Sequence, residues 1–360
     1  MIPVNDLSAI NGRFATPINA AIRRVVKSGR FILGEEVECF ERELADYCGV
    51  KFAVGVGNGT DAISIALEAA GMPKGAKIAT VGNSAPATTT AIVRAGGIPV
   101  FAEIGDDGLI DPVGLFDLPP VWGVVPVHLY GNPCDIGKIQ FWLDHRGRLP
   151  VIYDACQAIG TTWGGKPVTS FGLASAVSFY PTKNLGAFGD GGAILMNDPN
   201  IAEVARQIRN YGFVLRDQPA RLGRNSRLDE IQAAILRVKL TSIDAVNADR
   251  RRMAALYTAA IPARFRIPRD PGSNGHLYAV RVPNRDALRK RLADAGILTA
   301  VHYPVPAWEY AGGTGTGKAC PSTARWCRET LTLPLFFGMP TETACIAGRV
   351  LRRSTAPSRA

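Results

Sequence analysis

Ser178-Phe179-Tyr180-Pro181-Thr182-Lys183-Asn184-Leu185-Gly186, followed at once by Gly189-Asp190-Gly191-Gly192, is the stretch whose reading decides the fold. It begins inside a short apolar run, Ala174 to Phe179, of the length of a buried strand. The run opens into small and polar residues with a lysine among them. Upstream, Pro150 to Tyr153 is a second run of this kind, and it opens into Asp154-Ala155-Cys156-Gln157-Ala158. A carboxylate and an amine therefore leave the same edge of a sheet, where α/β proteins place their ligands.

Working outward, strands and helices alternate. Ala15 to Ser28 and Glu35 to Tyr47 read as amphipathic helices, the first stopped by Gly29. Strand candidates at Phe52–Val56, Lys77–Val81, Ile98–Phe101, Val121–Val127 and Pro150–Tyr153 alternate with helices, one beginning at Asp61 and one running through Ala91. This pattern predicts a three-layer α/β/α domain on a mostly parallel sheet, with strand order left open. Leu228 to about Ala260 reads as one or two long helices leading to a smaller α/β domain. There, strands near His276–Val282 and Leu298–Tyr303 flank a helix from Arg285 to Ala295. The expected division is 1–245 and 246–360. Composition makes 311–317 a glycine-rich loop and the residues from Arg352 onward a frayed tail.

The 360 residues can bury a large core, and 47% hydrophobic content with a mean hydropathy of +0.06 fits a soluble globular protein. No apolar run approaches the ~18 residues that suggest a membrane span. The first residues lack the charged and apolar regions of a signal peptide. Seven scattered cysteines without a CxxC pair fit reduced thiols in a cytoplasm, and four histidines show no metal-ligand spacing. Residues 1–200 hold 15 Lys+Arg against 19 Asp+Glu, whereas 201–360 hold 26 against 12. The arginines are dispersed and not interleaved with aromatic rings, which argues against nucleic acid and for a solvated basic face with some arginines serving an anionic small substrate.

A lysine and a carboxylate at one sheet edge are what pyridoxal phosphate chemistry requires. The lysine forms a Schiff base, and the acid keeps the pyridine nitrogen protonated so that the ring accepts electrons. Between a buried strand and a glycine-rich turn, Lys183 has no structural task, and burial lowers an amine's pKa towards a usable base. Gly57-Asn58-Gly59-Thr60-Asp61 lies between a strand and a helix, so its N–H groups and the helix dipole converge on an anion.

These segments resemble the DegT/DnrJ/EryC1/StrS group of sugar aminotransferases. Seven segments fall in family order across Val4 to Met339: Phe31-Ile32-Leu33-Gly34, the Gly57 turn, His128-Leu129-Tyr130-Gly131, the Asp154 and Lys183 segments, Gly223-Arg224-Asn225-Ser226-Arg227 and His302-Tyr303-Pro304. Leu331-Thr332-Leu333-Pro334-Leu335 follows them. The resemblance implies the fold-type-I aminotransferase scaffold with pyridoxal phosphate, Lys183 as the Schiff-base residue and Asp154 at the pyridinium. It implies Gly59, Thr60 and Ser178 at the phosphate, Gln157 at the 3-hydroxyl side, and Asn225 reaching the phosphate of the neighbouring subunit in a homodimer. His302 and His128 become candidates for the sugar pocket. The chain departs from the family at Ala85, which stands where a stacking aromatic ring is expected. The implied reaction moves an amino group, by family from glutamate, to a nucleotide-linked keto-sugar, with C3 of a dTDP- or UDP-6-deoxy-keto-hexose favoured by the His128 segment. Rival readings are a C4 keto-sugar or cyclitol ketone as acceptor, and a cofactor-binding regulator without turnover.

Overall fold

A computed structural model describes residues 1–215, 217–310 and 320–353; the glycine-rich loop and the tail beyond Arg353 lie outside the described residues. A parallel trio, in the order Ile98–Ala102, Lys77–Val81 and Gly123–Val124, joins a second group of four. The join is made by parallel bridges Val124–Val151 and Val127–Asp154. From there the order is Ile152–Asp154, Ala174–Ser178, Gly192–Met196 and Phe52–Val56. Gly192–Met196 runs antiparallel to both of its neighbours, so the sheet is mostly parallel, as read, with one reversed strand.

Helices cover both faces, and two buried clusters mark the layers. One gathers Phe40, Leu44, Trp142, Tyr153, Phe179 and Leu236; the other gathers Val54, Ile63, Ile78, Ile92, Ile194 and Ile208. Strand residues alternate between the clusters, Ala53 in one and Val54 in the other, as a period-two chain buried on both sides must.

Two helices, Glu230–Leu240 and Ile243–Ala260, follow. The second spans two cores: Ile243 and Val246 pack in the first cluster, Met253, Ala254 and Tyr257 in a third. That third cluster is built on the antiparallel pair Tyr278–Arg281 and Thr330–Leu333, with helices Arg285–Asp294 and Glu342–Arg353. The N-terminal arm packs there as well, through Ile2 and Ile10. The expected strand Leu298–Tyr303 is reduced to a bridge between Ala300 and Thr332. The pairing edge belongs instead to Thr330–Leu333, part of a segment the sequence marked only as a motif. Among the described residues no helix is long and apolar enough to cross a membrane.

Candidate active site

A cavity of about 240 Å³ lies at the sheet edge where the strands before Asp154 and Lys183 end. Gly59, Thr60, Asp154, Gln157, Ser178 and Lys183 line it, and Ala85 closes one wall.

Asp154 terminates its strand and is 5% exposed. One carboxylate oxygen accepts from the Thr88 hydroxyl at 2.7 Å, and the other from the Cys156 N–H at 3.1 Å. Ser84 donates in turn to the Thr88 hydroxyl at 3.2 Å. An ionised carboxylate has about four acceptor positions, so two donors leave capacity for a cationic nitrogen in the cavity.

Lys183 sits in the turn between the antiparallel strands Ala174–Ser178 and Gly192–Met196. Its N–H donates to the Tyr180 carbonyl at 2.8 Å, and Ala187 closes the loop onto Phe179. A Cβ at Gly186 would strike the Pro181 carbonyl, so the tightness of this turn requires glycine. Burial pushes the lysine pKa down, while Cys156 and Asp154 pull the other way. The net direction leaves more free amine near neutral pH than a solvated lysine has.

The anion end is the start of helix Gly59–Ala69. Asn58 caps it by accepting from the Asp61 N–H at 2.8 Å. At Gly59 a Cβ would lie 2.7 Å from the Cys156 sulfur and 2.8 Å from Ser178 Cβ. Only the bare backbone lets the helix start approach this wall, which leaves its first N–H groups and the Thr60 and Ser178 hydroxyls at the cavity. A helix start with free donors, a carboxylate with spare acceptor positions and a half-buried amine together fit pyridoxal phosphate. The apolar surface comes from Ala85, Ala87, Val127 and Cys156.

Gln157 is held on both ends of its amide. Its oxygen accepts from the Tyr130 N–H at 2.6 Å, and its nitrogen donates to the Tyr303 hydroxyl at 3.2 Å. Tyr303 lay in a quoted motif without a role assigned to it. Its acidity is suppressed, first by burial and then by the charge of Asp154.

The two histidine candidates separate. His302 is partly buried, its Nδ1 lies 2.9 Å from the Thr332 hydroxyl, and its pKa falls to about 4 through burial and then the charge of Lys183. Neither histidine lines the cavity, and His128 lies deeper. It is fully buried, stacks on Tyr153 at 4.9 Å, and its Nδ1 accepts from the Cys134 N–H at 2.9 Å. Burial lowers its pKa to about 3.

Asn225 is exposed and does not line the cavity of its own chain. Its neighbour Ser226 is fixed beneath the Gly57 turn, accepting from the Gly57 N–H at 3.0 Å and donating to Asp61 at 2.7 Å. Sequence reasoning also missed Thr88, Asn184 and His276. Asn184 follows the lysine directly, and its position was the available signal. His276 and Thr88 acquire their partners only through the tertiary fold.

A model of the DegT/DnrJ/EryC1/StrS aminotransferase family matches residues 14–350. The chain is 38% identical over 345 residues to dTDP-3-amino-3,4,6-trideoxy-alpha-D-glucose transaminase of Streptomyces venezuelae, covering 93% of this chain and 91% of that protein. It is 39% identical over 355 residues to the pleiotropic regulatory protein of Geobacillus stearothermophilus, covering 93% of each. Among solved structures, S. venezuelae DesV in complex with a ketimine intermediate matches with a TM-score of 0.93, at 36% identity and 99% coverage of both chains. The fold and the site define an aminotransferase. This chain belongs to the DegT/DnrJ/EryC1/StrS aminotransferase family.

Proposed function

We propose that the protein transfers an amino group from glutamate to the ketone of a nucleotide-linked sugar, at C3 of a dTDP- or UDP-6-deoxy-keto-hexose. The observation that carries this reading is the cavity that gathers Lys183, Asp154 and the start of helix Gly59–Ala69 at one sheet edge. Pyridoxal phosphate, when bound, supplies the electron sink for a carbanion at the donor carbon. Gly59, Thr60 and Ser178 would hold its phosphate, Asp154 its pyridine nitrogen, and Gln157 its 3-hydroxyl side. Asp154 would hold a proton at that nitrogen, and its two protein donors fix the carboxylate in place. The Lys183 amine takes the proton from the donor's α carbon and returns one to the carbon being aminated. Its lowered pKa keeps it able to accept that proton, which is what a general base near neutral pH needs. His302 belongs to the sugar side of the site.

Residues 1–245 form the cofactor-binding unit and 246–360 the smaller one in this reading, with helix Ile243–Ala260 as the connector. Seven cysteines without a CxxC pair suit a cytoplasmic setting. Arginines of the basic half are partly engaged inside the fold: Arg237 pairs with Glu36 and Glu43, and buried Arg250 donates to the Gly275 and His276 carbonyls. This supports a small anionic substrate over nucleic acid. The regulator alternative finds an echo in the name of the G. stearothermophilus relative, but a silent binding site has no need of both a base with lowered pKa and a fixed carboxylate.

The substrate class is tested by loading the enzyme with its amino group and adding acceptors. A nucleotide-linked keto-sugar is expected to discharge it much faster than the free sugar, because the remote nucleotide supplies binding energy that positions the ketone. Rising salt should weaken the nucleotide-linked substrate more than a neutral cyclitol ketone, since the diphosphate attraction is screened. A free cyclitol ketone outperforming every nucleotide-linked sugar overturns the assignment.

The working unit in this proposal is a homodimer with shared sites. Phe31, Ile32, Phe188, Tyr211 and Leu222 are exposed, the last by 96%. Phe31 and Phe188 flank helix Glu230–Leu240, bonded to Glu230 and Gln232 respectively, and a second copy covering them would bring its Asn225 to this cavity. Mixing Lys183→Ala subunits with Asn225→Ala subunits should then restore about a quarter of wild-type activity, since half of random dimers are mixed and each has one intact site. No recovery, despite demonstrated subunit exchange and a clear defect from Asn225→Ala alone, would argue for a site within one chain.

A further inference from the structure

A chain of amides, buried at Asn247 and partly buried at Asn184, ends on an imidazole beside the lysine turn. The Asn247 side-chain nitrogen donates to the Ile159 carbonyl at 3.2 Å. Its oxygen therefore faces Asn184, whose side-chain nitrogen donates to it at 2.7 Å. A second carbonyl fixes Asn184 the same way, because that nitrogen also lies 3.4 Å from the Asn274 oxygen. Carbonyl oxygens only accept, so neither amide can be reversed without placing oxygen against oxygen. The Asn184 oxygen is left 2.9 Å from His276 Nδ1. An acceptor there requires a donor, so the His276 proton sits on Nδ1 and Nε2 is bare.

The imidazole is itself anchored. The His276 N–H donates to the Asn274 side-chain oxygen at 2.9 Å. The Asn274 nitrogen holds the Gln157 and Ile159 carbonyls at 3.0 and 2.9 Å. Arg250 donates to the carbonyls of Gly275 and His276. At 4% exposure, with Lys183 as a neighbouring positive charge, the ring is held neutral, its pKa pushed well down by burial first. The Asn184 and His276 contacts thus tie the residue after Lys183 to the Gln157 wall and to helix Ile243–Ala260.

We propose that His276 is a positioning residue for amino transfer. Locked by the Asn247–Asn184 chain with its proton on Nδ1, it fixes the turn that carries Lys183 relative to Asp154 and Gln157. This rests on the amino-transfer reading for its effect on turnover, but the proton's location does not.

The test uses the full-length holoenzyme labelled with ¹⁵N-histidine. Four histidines keep the spectrum simple, and His276→Asn assigns the signal by its loss. At pH 7.5, His276 is expected to show a protonated Nδ1 and a bare Nε2, the opposite of the tautomer free histidine favours. A protonated Nε2, or an imidazolium, overturns the proposal whatever the substrate proves to be. Turnover gives the second readout. An asparagine amide can stand in for Nδ1–H, whereas a glutamine amide reaches the Nε2 position. His276→Asn should therefore rescue most of kcat, while His276→Gln should lower kcat by about tenfold or more with KM for both substrates little changed. Equal impairment of the two variants, or a loss confined to KM, contradicts it.

Discussion

Lys183→Ala is expected to abolish turnover, with a loss of roughly 10⁴-fold or more. One amine serves as the covalent anchor and as the base that moves the proton, and a positioned base alone is worth about 10² to 10⁴. The fold should survive. The side chain makes no salt bridge with another described residue, and the turn is closed by backbone bonds of Lys183 and Ala187 that alanine keeps. Thermal melting should therefore change little while activity vanishes. In the wild-type protein, borohydride reduction followed by peptide mapping should place the cofactor on Lys183. Attachment to another lysine, or measurable multiple turnover in Lys183→Ala, contradicts the assignment.

Asp154 is expected to give the second-largest effect, and its two variants separate charge from packing. Asp154→Ala removes the negative charge and strands two donors, the Thr88 hydroxyl and the Cys156 N–H, in a buried site. Stranding buried donors costs about 1–3 kcal/mol each, so this variant should melt earlier as well as lose turnover. Asp154→Asn keeps one acceptor and nearly the same volume but carries no charge. It should hold stability closer to wild type and still lose roughly 10² to 10³-fold in kcat, the scale of one preorganised electrostatic group. The check is paired melting and single-turnover measurements. If Asp154→Asn retains near-normal turnover, the carboxylate's charge has no part in the reaction.

Much of this was legible in the sequence because it is local. A strand that spills into polar residues marks a sheet edge by itself, and Asp154, Lys183 and Gly59 each lie at such an exit. The order of the strands was not legible. Gly192–Met196 is buried along its whole length, and an apolar run of this kind reads the same whether the strand runs up or down. Its reversal is set by the short return from the Lys183 turn, since antiparallel neighbours need no crossover helix.

Lone polar residues divide in the same way. His128 became a candidate through the resemblance of its segment, and the His128–Gly131 turn stacks it on Tyr153, a contact its local sequence does not announce. His276 attracted no attention, because its meaning depends on Asn184, 92 residues earlier, and on Asn247. Thr88 is similar: its hydroxyl matters only because Asp154 lies across the sheet edge, 66 residues away in sequence. Ala85 was visible as a departure, and the structure sets it in the cavity wall with Ala87, Val127 and Cys156.

The central claim, that this site moves nitrogen onto a nucleotide-linked sugar, is tested most directly by tracing the atom. Wild-type enzyme is incubated with ¹⁵N-glutamate and a panel of dTDP- and UDP-linked 3-keto and 4-keto sugars, a free cyclitol ketone and simple keto acids, and the products are read by mass spectrometry and NMR. The expected result is ¹⁵N at C3 of a nucleotide-linked sugar, catalytic in enzyme and absent with Lys183→Ala. Label appearing only in the cyclitol or the keto acids, with every nucleotide-linked sugar unlabelled, would contradict the account.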